Sequence, residues 1–162
     1  MNGCVRMVDL LYLEEYDNIV TFALELIKAS KSRGEGAYSE RIAILHLDHA
    51  NELLMKSFLR KKGFIIDFLT ESEIKKGVKK EEIMEKDRTL SYVDSLKLVS
   101  KVVGFSQEKM DEIMKFHRLR NEVQHRAINL PLDKGEKIDL FLPRFKELYD
   151  LMFPEYEEHF PV

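Results

Sequence analysis

The stretch Ser106-Gln107-Glu108-Lys109-Met110-Asp111-Glu112-Ile113-Met114-Lys115-Phe116-His117-Arg118-Leu119-Arg120-Asn121-Glu122-Val123-Gln124-His125 decides how this chain is read. Ser106 is a good N-cap, and Met110, Ile113 and Met114 recur at helical spacing, so the segment predicts a helix ending around Ala127 to Asn129, before Leu130-Pro131. Its last turns, from Arg118 to His125, hold two guanidiniums, an amide and an imidazole. An imidazole moves protons near neutral pH. A guanidinium holds a phosphate through paired hydrogen bonds. Together they are the minimum equipment for cutting a phosphodiester without a metal.

Helix geometry orders these groups. Residues four and seven apart share a face, so Arg118, Asn121 and His125 form one stripe, with His117 beside it. At a step of about 100° per residue, Arg120 sits roughly 140° from His125. Pairing those two requires the arginine to curl back or the helix to loosen. The same groups also suit an ordinary helix end: cations are favoured near a C-terminus, and Glu122 can pair with Arg118 or Arg126.

Helical periodicity governs the rest of the chain. Leu13, Tyr16, Val20, Ala23, Leu24 and Ile27 mark one apolar face of a helix from near Asp9 to about Ser32, stopped by Gly34 and Gly36. A second helix opens at Ser39-Glu40, carries Ile42, Ala43, Leu45, Leu47, Ala50, Leu53, Leu54, Ser57 and Phe58, and closes at Gly63. Phe64 to Phe68 reads as a short strand or an extended connection, and Glu71 to Arg88, almost all Lys and Glu, as a solvated insertion. Ser91 to Val103 reads as a helix with Val93, Leu96, Val99, Val102 and Val103 as its buried stripe, ended by Gly104. A last helix spans roughly Lys137 to Phe153, with Pro143 early in it or at its true first turn, and the tail from Pro154 to Val162 reads as irregular. The expected fold is all-α: an antiparallel bundle of four to five helices in a single domain over 1–162, with its core at about 9–153 and a charged insertion at about 64–90.

The Arg120-Asn121-Glu122-Val123-Gln124-His125 run is similar to the Arg, polar residue, three residues, His signature of the HEPN domain superfamily, and Arg118 to His125 fits its looser form. The segment His49-Ala50-Asn51-Glu52-Leu53-Leu54-Met55-Lys56-Ser57-Phe58-Leu59 resembles the Ala, Glu, Leu-Leu, Lys pattern of an early helix of that family. The resemblance covers roughly 39–153 and implies a helical bundle that dimerises. In its catalytic members two motifs meet at the dimer interface and cut RNA without a metal. Carried over, His125 is the acid or base, Arg120 clamps the phosphate and Asn121 orients it, with Arg118 and His117 as auxiliary substrate-binding groups. The partners implied are RNA, a second copy of the chain, and an antitoxin or nucleotidyltransferase, since the family includes toxins and defence nucleases. It also includes members with no known cleavage, so the alternative is a non-catalytic module that binds a protein or nucleotide.

Other features set bounds. A net charge of −3 argues against a generic nucleic-acid coat protein but leaves room for a local basic site. The lone Cys4 excludes an intramolecular disulfide framework and fits a reducing compartment. No run of about 18 apolar residues occurs and Met1 to Leu13 lacks a signal-peptide pattern, so the expectation is a cytoplasmic protein without membrane association. His46, Asp48, His49 and Glu52 are a conceivable metal cluster, but no third ligand segment accompanies them and Glu52 can pair with Lys56. Neither metal nor cofactor is therefore expected. Lys56, Arg60, Lys61 and Lys62, with Lys75, Lys76, Lys79 and Lys80, are a candidate basic rim whose interleaved Glu residues favour plain solvation.

Overall fold

The computed structural model describes residues 18–34, 36–64, 90–125 and 138–161, and among them there are helices and no strand. Five α-helices follow one another: α1 over residues 18–31, α2 Ala37–Lys61, α3 Tyr92–Val103, α4 Gln107–His125 and α5 Ile138–Met152. The all-α bundle expected from periodicity is what the chain forms. The start of the first helix, the run from 65 and the charged insertion lie outside the described residues.

α2 is the spine, touched by α3, α4 and α5 together. Contact with three helices needs a broad apolar stripe, and Ile44, Leu47, Leu54, Met55, Phe58 and Leu59 are all buried along it. It begins two residues earlier than Ser39-Glu40 suggests, with Gly36 as N-cap. Glu40 still falls in the first turn, and its side chain turns inward. Its carboxylate accepts from Arg33 Nε at 2.5 Å and from the backbone N–H of Ile138 at 2.7 Å. An acid from α2 thus caps the first turn of α5, where unpaired N–H groups and the helix dipole both favour negative charge. Pro143 sits inside α5, on its exposed side, where the carbonyl it leaves without an N–H donor can meet water.

The helix ends follow local chemistry. At the end of α2, Phe64 N–H reaches back to Leu59 O and Gly63 N–H to Arg60 O, a Schellman closure that needs the positive φ of 83° at Gly63. α3 is capped by Ser91, whose Oγ accepts from Asp94 N–H at 3.1 Å, and ends at Gly104 with φ 73°. Ser106 Oγ accepts more loosely from Lys109 N–H at 3.4 Å. The α3 stripe is rotated from the one read from its valines: Tyr92, Ser95, Leu96, Val99 and Ser100 are buried, while Val102 is exposed.

The core is aromatic on the α5 side. Phe116 of α4 lies 4.8 Å from Phe141 and 5.0 Å from Phe145, ring centre to ring centre. The tail is not irregular throughout: Pro154–His159 forms a short 3-10 helix and Phe160 buries itself 5.2 Å from the Tyr149 ring. Tyr149 donates its hydroxyl proton to Tyr156 O at 3.0 Å, and Lys31 Nζ donates to Pro161 O at 3.1 Å, so both α5 and α1 hold the tail.

Removing the Glu40 carboxylate leaves the Arg33 cation and the Ile138 N–H without it. Glu40→Ala is expected to lower unfolding stability by about 3 kcal/mol, the scale of a broken, largely buried ion pair, read from urea denaturation. Gly104→Ala is expected to cost about 1 kcal/mol, because a Cβ is placed in the left-handed region although nothing within 4 Å obstructs it.

Candidate functional site

α4 commits Ile113, Phe116, Leu119 and Val123 to the core. His117, Arg120 and Asn121 lie at the border of that stripe and are half-buried. Facing them, α2 presents Asp48, whose side chain is 1% exposed. A carboxylate so buried must be paired to be tolerated. His117 Nδ1 stands 3.0 Å from Oδ2 and 3.2 Å from Oδ1, and Arg120 Nε is 3.5 Å from Oδ2. Positions three apart on a helix are neighbours, which is how both side chains reach one acid. The arginine contact is an ion pair without a hydrogen bond at Nε. Its Nη1 donates instead to Asn121 Oδ1 at 2.9 Å.

The imidazole is fixed in two further ways. Its Nδ1 faces a carboxylate, which can only accept, so Nδ1 carries a proton, and the neutral form of the ring has its lone pair at Nε2. Tyr92 of α3 stacks on the ring, centroids 3.9 Å apart and planes 9° from parallel. The phenol is held by Asn51, whose Nδ2 donates to it at 2.8 Å. Burial first, and then the charge of Asp48, push the Tyr92 phenol well above its ordinary value, so it stays neutral. The result is a carboxylate, imidazole, guanidinium and phenol assembled from three helices.

The motif residues divide. His117, Arg120 and Asn121 come together. Arg118 and His125 lie exposed further round α4, and neither forms a hydrogen bond or ion pair with a described residue. Arg120 turns to Asp48 rather than curling toward His125, as their wide angular separation and the pull of a buried anion dictate. The His46, Asp48, His49 and Glu52 cluster also separates: Asp48 points inward, Glu52 takes Lys56 at 2.6 Å, and His49 is exposed. Among the described residues no three His, Cys, Asp or Glu side chains are placed to hold a metal. Of the basic rim, Lys61 pairs with Glu155 at 2.5 Å and Lys62 lies over the Phe58 ring; Lys75 to Lys80 fall outside the described residues.

Asp48 is the functional candidate that the motif alone misses. Its signal was in the pattern: Ile44, Leu47, Asn51, Leu54 and Phe58 trace a buried stripe, and Asp48 and Asn51 are polar residues set on it. Compared with family models, curated proteins and solved structures, the chain matches none.

A raised phenol carries a sign for stability. The unfolded chain releases its tyrosine protons near pH 10 while folded Tyr92 holds its own, and Tyr149, pushed by burial to about 12, behaves alike. Stability is therefore full below about pH 10 and falls as pH rises above it. Tyr92→Phe is expected to flatten that alkaline fall, read from urea midpoints across pH. At neutral pH the same change costs about 1 kcal/mol, because Asn51 Nδ2 loses its acceptor.

Proposed function

We propose that this chain is a metal-independent endoribonuclease of HEPN type that works as a homodimer. The observation that carries the reading is the edge of α4, where His117, Arg120 and Asn121 gather over buried Asp48 and His125 stands exposed two turns on. Arg120 and Asn121 bind the scissile phosphate, and His125 moves the proton. His117 on that edge and exposed Arg118 further round the helix are auxiliary contacts. The stretch of sequence 115–126 carries Lys115, Arg118, Arg120 and Arg126 against Glu122, a local excess of positive charge in an acidic chain that supports a phosphate ligand. A two-fold pairing of α4 edges would supply two such sets to one cleft. A positioned acid or base is worth about a hundred- to ten-thousand-fold, and fixed cations beside a developing phosphate charge add to it. A cytoplasmic toxin or defence nuclease, held in check by an antitoxin or modified by a nucleotidyltransferase, is the setting this chemistry suits.

One observation favours a second reading. The Arg120 guanidinium is engaged by Asp48 and Asn121 within the fold. A module that binds a protein or nucleotide without cutting would keep such an arrangement for stability alone.

Incubation with total RNA in EDTA separates the two. The ribonuclease leaves 2′,3′-cyclic phosphate and 5′-hydroxyl ends, and His125→Ala lowers the rate by about a hundred- to ten-thousand-fold with its circular dichroism unchanged. Cutting that persists in His125→Ala removes that residue from the chemistry. A wild type that never cuts leaves the binding module.

A further inference from the structure

We infer that His117 is the proton acceptor for the attacking 2′-hydroxyl and that Asp48 is its positioning residue. The inference rests on the ribonuclease reading and assigns a residue outside the Arg120 to His125 motif. A histidine that serves only packing satisfies both ring nitrogens or buries one among apolar groups. Among the described residues His117 does neither. Nδ1 is taken by Asp48, the ring plane is set by Tyr92, and Nε2 makes no hydrogen bond to a described residue although the side chain keeps 14% exposure. The orientation of the ring, and the tautomer of its neutral form, are thus determined before any ligand arrives, and the nitrogen left over is Nε2. Arg120 stands three residues along on the same edge and meets the same Asp48 oxygen, so one acid holds both the ring and a cation able to take a phosphate oxygen.

The step balances without metal or redox partner. His117 Nε2 takes the 2′-hydroxyl proton, the 2′-oxygen bonds to phosphorus, and the P–O5′ bond breaks. The departing 5′-oxygen takes a proton from His125 of the second copy. Within one chain the two imidazoles are eight residues apart, about 12 Å along the helix, too far to serve one phosphate. Asp48 stabilises the imidazolium that forms and does not itself take the proton. Among the described residues, the charged and titratable groups facing His117 are Asp48 from α2, Tyr92 from α3 and Arg120 from its own helix, with the Glu52–Lys56 pair further along α2.

The test is kcat, KM and the pH–rate profile on an RNA oligonucleotide in EDTA, for wild type, Asp48→Asn, His117→Gln and His125→Ala. An asparagine can turn an N–H toward Nδ1, which drives the ring proton onto Nε2 and removes the acceptor. Both Asp48→Asn and His117→Gln are expected to lose about a hundred- to ten-thousand-fold in kcat with KM little changed, and to lose the limb of the profile that belongs to the base. A His117→Gln variant with wild-type kcat and profile overturns the assignment while an inactive His125→Ala keeps the ribonuclease reading. Asp48→Asn that lowers thermal stability but leaves the profile of kcat in place reduces Asp48 to a structural role and overturns it too. A wild type that does not cut overturns both. Should Asp48→Asn not fold, the partly exposed His117 carries the comparison alone.

Discussion

The Asp48 carboxylate, sealed between α2 and α4, is the constraint on which this arrangement depends. Bringing an ionised acid into a helical core costs several kcal/mol, and only well-placed partners offset it. Here the partners lie on one helix at positions 117 and 120, so the acid fixes more than their charge. Rotating α4 by one residue, about 100°, would swing both away and leave the carboxylate alone. The rotation of α4 on α2 is therefore specified electrostatically as well as by Phe116 and Leu119 in the core. Apolar packing tolerates small slides between helices, whereas a buried charge with two named partners does not.

The same device recurs one long step along α2. Glu40 is the other acid buried on this helix, and it organises Arg33, at the loop after α1, together with the first backbone N–H of α5. α2 thus carries two inward carboxylates eight residues apart, one setting α4 and one setting α5. A spine whose buried stripe must serve three neighbours at once orients none of them by apolar contact alone. Two polar anchors at fixed positions restore that specificity. Arg33 also reaches Asp139 at 3.1 Å, so α1, α2 and α5 meet at one ionic junction, largely out of water on the Glu40 side and exposed on the Asp139 side.

What was legible in the sequence was local. Helix spacing, the cap at Ser106, and the glycine stops at Gly63 and Gly104 each depend on a few neighbouring residues, and each is found in place. What was not legible depends on partners distant in the chain. The face of α3 could not be read from its valines, since Ser95 and Ser100 are small enough to lie inward against neighbouring helices and leave Val102 outside. The tail was read as irregular because nothing local shows that Phe160 finds the Tyr149 ring. Asp48 was grouped with His46, His49 and Glu52 by nearness in sequence, while its true partner His117 is 69 residues away. The motif positions were read correctly as one helix, but the split between His117, Arg120 and Asn121 on the border and Arg118 and His125 outside follows from which face α2 covers.

The cluster is not held uniformly, and the unevenness bears on how such a site would work. His117 is bonded to Asp48 at hydrogen-bond distance and clamped by Tyr92, so its position costs nothing further when a ligand binds. Arg120 is 3.5 Å from the same acid without a hydrogen bond there, and its one short bond is to a neutral amide on the adjacent residue. A phosphate offers a guanidinium paired acceptors carrying full charge, a better partner than Asn121. The imidazole is thus the rigid member of the pair and the guanidinium the one free to change partners. On the ribonuclease reading, that order assigns orientation to the base and capture to the arginine, with Asp48 left to balance the positive charge on His117 once Arg120 has turned to the ligand.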